Sequence, residues 1–184
     1  MEMFIKLWYT ESIPKEKDDD SMKILVLSDS HSSIRFMRRC VDAVKPDAIV
    51  HLGDYYDDAE ILAEEYPYIP LYQVPGNCDR YRCPPSAREI LIMPVCGVNL
   101  YMTHGHRHQV KMQLGLLLRD ARASKVDAVL YGHTHIPNCY QEPDGLWVLN
   151  PGSSGYGGGT AGLIETDNGK IVGCTLLWPE NLEG

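Results

Sequence analysis

Gly132-His133-Thr134-His135 sets two imidazoles two residues apart behind a glycine, at the end of the apolar run Val126 to Tyr131. Four other stretches end in a similar way: Asp29-Ser30-His31, Gly53-Asp54, Gly76-Asn77-Cys78-Asp79 and His104-Gly105-His106. Most follow a β-branched or leucine-rich run, and each offers oxygen or imidazole donors. Side chains at i and i+2 can share one side of an extended segment. A carboxylate beside an imidazole suits a borderline divalent metal, and a preceding glycine lets the backbone turn tightly toward an ion.

Together these stretches supply seven candidate ligands: Asp29, His31, Asp54, Asn77, His104, His133 and His135. One transition metal needs fewer, and a carboxylate can bridge two. With Asp54 shared, each of two ions takes four protein ligands and keeps positions for water and substrate. Two ions about 3.5–4 Å apart would hold a bridging hydroxide beside a phosphoryl group. Their charge attracts an anionic phosphate ester even to an acidic protein.

The elements that position these ends alternate along the chain. Ile24 to Ser28, Ala48 to Leu52 and Leu71 to Val74 are short apolar runs, as expected of strands buried on both faces. Ile34 to Val44 carries helical spacing, with Ser32 or Ser33 as N-cap and Pro46 as terminator. A second helix is predicted over Asp57 to Tyr66, with acids at its start and Pro67 at its end. Ile90 to Met93 and Val98 to Thr103 read as an antiparallel pair turned at Pro94-Val95-Cys96-Gly97. The longest helix is predicted from Gln109 to Ser124, followed by a strand from Val126 to Leu130. Leu146 to Leu149, Ala161 to Glu165 and Ile171 to Leu177 read as late strands, the last two joined at Asp167-Asn168-Gly169. Gly152 to Gly162 reads as a glycine-rich loop near the site. The pattern predicts an α/β layered fold with a mixed sheet, in which ligands gather at the carboxyl ends of strands.

The length of 184 residues fits one domain with a substantial core. Residues 1–21, with an apolar cluster around Phe4 and Trp8 and a charged run from Lys15 to Asp20, read as an N-terminal extension. Residues 22–184 then form a single domain. A formal net charge of −8 argues against broad nucleic-acid binding, which needs a basic face. Six scattered cysteines form no C-x-x-C pair and fit reduced thiols in a cytoplasmic enzyme. No secretory signal or run of about 18 apolar residues points to export or a membrane span.

The five motifs, in this order, resemble those of the calcineurin-like metallophosphoesterases. The forms Gly-Asn-Cys-Asp and Thr-His-Gly-His, with the compact length, resemble the small YfcE-type prokaryotic phosphodiesterases. The resemblance runs from about Met22 to Trp178. It implies a four-layer α-β-β-α sandwich, two mostly mixed β-sheets flanked by helices. It also implies one ion at Asp29, His31, Asp54 and His135 and a second at Asp54, Asn77, His104 and His133. The implied activity is hydrolysis of a small phosphodiester by a dinuclear, metal-bridged hydroxide. Manganese is the expected metal, with iron, nickel or zinc as alternatives.

The chain departs from the wider superfamily at Cys78, where many members carry a histidine thought to protonate the leaving group. A thiol with pKa near 8.5 is a poor substitute for an imidazole near 6.5, so His106 or water is the expected proton donor. Asp54, His106 and Cys78 are therefore the candidate catalytic residues, with Asp79 as a further residue near the site. Asn77, Arg80, Arg107 and Tyr55 are candidate substrate contacts, together with Arg82 and Tyr56. His51 and His108 read as structural or exposed residues. The rival functions are a protein-binding scaffold of the same fold, like the retromer scaffold subunit, and a nuclease. A scaffold has no need of seven ligand types, and a nuclease would be expected to carry a basic tract. A homo-oligomer is compatible with the sequence.

Overall fold

The computed structural model describes residues 20–182, so most of the expected N-terminal extension lies outside the described residues. Strands β1 (Met22–Leu27), β2 (Ala48–His51) and β3 (Leu71–Gln73) pair in parallel. The antiparallel strands β9 (Ala161–Asp167) and β10 (Lys170–Leu177) extend the sheet in the order β10-β9-β1-β2-β3. The second sheet holds β4 (Ile90–Val95), β5 (Val98–Thr103), β6 (Ala128–Tyr131), β7 (Asn138–Gln141) and β8 (Trp147–Asn150), ordered β4-β5-β6-β8-β7. Its central strands β5, β6 and β8 are parallel, and both edges are antiparallel.

Alternation along β1 explains the layering. Ile24 and Val26 enter the core between the sheets, with Val50, Leu100, Met102 and Leu130. Leu25 and Leu27 face the other way, onto Phe36, Met37 and Val41 of helix α1 (Ile34–Val44) and Leu62 of helix α2 (Tyr56–Glu65). Helix α3 (Gly115–Ala123) covers the second sheet through Leu117 and Ala121, against Tyr101, Val129 and Val148. Two mixed sheets thus lie between helical layers. Among the described residues no helix is long and apolar enough to cross a membrane.

Three local expectations change. Helix α3 begins at Gly115, not Gln109, because the chain first makes a 3-10 turn at His106–His108. Gln109 then takes a left-handed conformation, φ 54°. Val110 is buried here without being helical, against the position where a Cβ on Gly105 would lie. The hairpin between β4 and β5 turns at Cys96-Gly97 alone (φ 49° and 80°), as the twist of paired strands favours. Pro94 is kept within β4, an edge strand, where a missing N–H is tolerated. Strand β7 has no counterpart in the sequence pattern, since Asn-Cys-Tyr-Gln shows no apolar alternation.

Candidate metal centre

The five ligand-bearing stretches leave the carboxyl ends of β1, β2 and β3 in one sheet and of β5 and β6 in the other. Both sheets therefore deliver side chains to one end of the sandwich. Asp29, His31, Asp54 and His135 each present a donor atom, all within 4.8 Å of one another. Asp29 is fully buried and Asp54 nearly so. Asp29 Oδ1 lies 3.0 Å from His135 Nε2 yet has no hydrogen-bond partner, and His31 Nε2 is buried and unpartnered as well. Unsatisfied buried polar atoms are costly unless something else satisfies them. Atoms that face one another without hydrogen-bond geometry are arranged as the ligands of one cation are, so this set fits a metal ion.

Asp54 also belongs to a neighbouring group. Its Oδ1 is 3.6 Å from His104 Nε2, which lies 3.1 Å from Asn77 Oδ1. The His133 ring is centred 5.0 Å from that of His104. His104 Nδ1 donates to the Leu52 carbonyl at 2.8 Å, which turns Nε2 toward Asp54 and Asn77. Burial, and then the charge of His104, push the His133 imidazole down to about 4. Burial alone would raise the Asp29 carboxyl, but the rings of His135 and His104 and the Ser28 hydroxyl hold it below its ordinary value. The contact with Asp29 in turn raises His135.

Asp29, His31, Asp54, His133 and His135 all have φ between 44° and 68°. This left-handed region costs an ordinary side chain about 1 kcal/mol or more per residue. Four buried polar residues hold the strained turns. Asp79 accepts the N–H groups of Asp54, Tyr55, Tyr56 and Gly76, at 2.7–2.9 Å. Asp58 accepts Ser30 Oγ and the Ser32 N–H. Asn150 donates to the Gly132 carbonyl and to Thr134 Oγ1, and Ser153 Oγ donates to the Asp29 carbonyl. Gly76 is required by space, since a Cβ there would lie 2.1 Å from Asp54 Oδ1. Asp79 thus has a positioning role, and Asp58, Asn150 and Ser153 join it although no motif in the sequence marks them. Their only sequence signal is that each is polar beside a loop.

The remaining candidates are spread around this centre. His106 is centred 5.5 Å from His104 and 6.1 Å from His133, with a buried, unpartnered Nδ1. Burial, then the charge of His104, lower its imidazole. Cys78 donates its N–H to Asp54 Oδ1, and burial followed by the Asp54 charge pushes its thiol up to about 11. Tyr55 meets the His31 ring edge-on at 5.1 Å. Tyr156, from the glycine-rich loop, lies 5.0 Å from His31 and stacks on His135 at 5.2 Å. Tyr56 is buried. Arg107 pairs with Glu89 and Arg82 with Asp57, so both guanidinium groups are already engaged. Arg80 lies over Tyr81. His51 and His108 are buried rather than exposed, and His108 meets Tyr101 at 3.1 Å.

The sequence profile of the calcineurin-like phosphoesterase superfamily domain matches residues 22–169, and the chain belongs to that superfamily. A probable metallophosphoesterase of Mycoplasma pneumoniae is 30% identical over 134 residues, covering 71% of this chain and 78% of the relative. A conserved Streptococcus pneumoniae TIGR4 protein, described as a "predicted phosphoesterase", superposes with TM-score 0.64 at 26% identity. The match covers 80% of this chain and 84% of that one. Vacuolar Protein Sorting 29 from Cryptosporidium parvum superposes with TM-score 0.66, over 85% of this chain and 97% of that one. Its 16% identity is a likeness of fold.

Proposed function

We propose that the protein is a metal-dependent phosphodiesterase whose centre takes two divalent ions sharing Asp54. The observation that carries this reading is the position of Asp54, within 4.8 Å of the donors of Asp29, His31 and His135 and 3.6 Å from His104 Nε2. Bound ions would supply an acidified water and Lewis-acid stabilisation of charge on a phosphoryl group. Asp29, His31, Asp54 and His135 would hold one ion; Asp54, Asn77, His104 and His133 the other.

The chain's own groups do the rest. Asp79, Asp58 and Asn150 fix the ligand turns before substrate arrives, so the ordering is complete in advance. Tyr55 and Tyr156 pack against the His31 ring and wall one side of the site. Asn77, beside His104 Nε2, and Arg80, three residues further along the same loop, are the chain's candidate phosphate contacts, whereas Arg107 must first part from Glu89. His106 is the proton donor to the leaving oxygen. The buried donor atoms left unsatisfied at Asp29 and His31 favour the enzyme over a protein-binding scaffold, because they are arranged for an ion that can activate water.

The reading is tested by hydrolysis of bis(p-nitrophenyl) phosphate and p-nitrophenyl phosphate after chelator treatment and reloading with manganese. The diester is expected to be the better substrate, with activity lost again in chelator. No turnover of either ester with any of manganese, iron, nickel or zinc would refute it.

A further inference from the structure

A cavity of about 490 Å³ opens beside the metal centre, on the flank of the turn that carries His133 and His135. Val110, Leu114, Tyr131 and Ile136 supply its apolar lining, and Lys111, Thr134 and Asn138 its polar groups. Its size is within the usual range of small-molecule pockets, about 300–1000 Å³. Thr134 belongs to both places, since it stands between the two histidines. The Ile136 N–H donates to Thr134 Oγ1, which also takes Asn150 Nδ2. The Ile136 side of the cavity is therefore hydrogen-bonded to the ligand turn. Ile136 is nevertheless 69% exposed, an apolar surface at the mouth with nothing over it among the described residues.

Apart from Lys111, the polar side chains of this lining are engaged within the protein. The Thr134 hydroxyl is engaged by Asn150 and by the backbone of Ile136. The Tyr131 hydroxyl lies against Asn138 and Asn150. A sugar placed here would bury hydroxyls with few free partners, which costs free energy, whereas a hydrocarbon would lose nothing. Lys111 forms no ion pair among the described residues, and it is the cationic group of the lining.

We propose that this cavity seats the ester group that stays on phosphorus, that this group is an alkyl or aryl chain rather than a sugar, and that Lys111 pairs with the phosphoryl oxyanion. In an in-line displacement the attacking and leaving oxygens lie opposite each other, so the retained group projects sideways. Thr134 puts the lining of this cavity one residue from each of the ligand histidines, within reach of a group so directed. The proposal rests on the phosphodiesterase reading, and its test separates the two.

The experiment is a series of p-nitrophenyl alkyl phosphates, from methyl to hexyl, with the manganese-loaded protein. Burial of about 0.8 kcal/mol per methylene predicts that kcat/KM rises about fourfold per added carbon until the cavity is filled. Calorimetric binding of methylphosphonate and hexylphosphonate supplies a second readout, with the longer chain bound more tightly. Ile136→Ser, at an exposed position that does not endanger folding, should flatten both dependences. Lys111→Ala should weaken the whole series by a similar factor. Turnover of the methyl ester with no rise along the series, or a rise that Ile136→Ser leaves intact, would overturn the cavity assignment and leave the phosphodiesterase standing. No turnover of any ester, with the phosphonate preference retained, would instead remove the catalytic reading and leave an apolar anion site.

Discussion

The carboxylate of Asp79 accepts the backbone N–H of Asp54 over 2.8 Å, from a fully buried position. Asp54 is the residue that both groups of candidate ligands share, and its φ of 57° needs such a restraint. The same carboxylate takes three further N–H groups, two from the turn after Asp54 and one from Gly76. One buried acid therefore locks the second and third ligand loops together.

Asp79→Asn replaces an acceptor oxygen by an NH₂ group that faces backbone donors. Hydrogen bonds to a charged group contribute about 1.5–3 kcal/mol each, and the freed N–H groups are left unsatisfied. The expected loss is about 3 kcal/mol in urea unfolding, with manganese affinity falling about 10–100-fold. A wild-type unfolding midpoint and unchanged manganese binding would show that Asp79 restrains nothing.

The acid side of the stability profile should depend on His51. It is fully buried, and its Nδ1 accepts the Gly53 N–H at 3.3 Å. Burial holds this imidazole below its ordinary value. A proton on Nδ1 would also displace the Gly53 N–H. The unfolded chain takes up its proton near pH 6.5, the folded chain only at lower pH. Between those values the unfolded state binds more protons, so stability falls as pH drops. His133, lowered to about 4, acts with the same sign. His135, raised by Asp29, acts against it. Urea midpoints of chelator-treated protein at pH 7.5, 6 and 5 should decline, and His51→Gln should decline less steeply. Parallel curves for the two proteins would remove His51 from the account.

Leaving-group dependence should separate His106 from Cys78. A nitrophenolate leaves without a proton, whereas an alkoxide does not. General acid catalysis is worth about 10²–10⁴-fold, chiefly on basic leaving groups. His106→Ala should slow alkyl diesters by about 10²-fold or more and nitrophenyl diesters far less. Cys78→Ala, which removes a thiol pushed up to about 11, should barely change nitrophenyl diesters. Equal losses on both ester types in His106→Ala would make His106 a positioning residue.

The ligand loops were legible because each follows a short apolar run and breaks at glycine, aspartate or histidine. The restraints were not. Asp79 lies 25 residues from Asp54 and Asp58 lies 28 from Ser30, so only the pairing of β1, β2 and β3 brings them together. Nothing in the sequence marks Asp29 or His31 for a left-handed backbone, since tertiary hydrogen bonds impose it. Val110 and Leu114 carry helical spacing but lie in the turn that links the 3-10 helix to α3, Leu114 as the N-cap of α3, so the spacing overstates the helix. Tyr156 sits in a glycine-rich loop whose course depends on hydrogen bonds to Ser153 and Asp29.

The sharing of Asp54 is tested most directly by titrating chelator-treated protein with manganese while following bis(p-nitrophenyl) phosphate hydrolysis. Wild-type activity should saturate at two equivalents of manganese per chain, and Asp54→Ala should show neither tight binding nor turnover. Saturation at one equivalent, with Asp54→Ala near the wild-type rate, would contradict a two-ion centre built on this carboxylate.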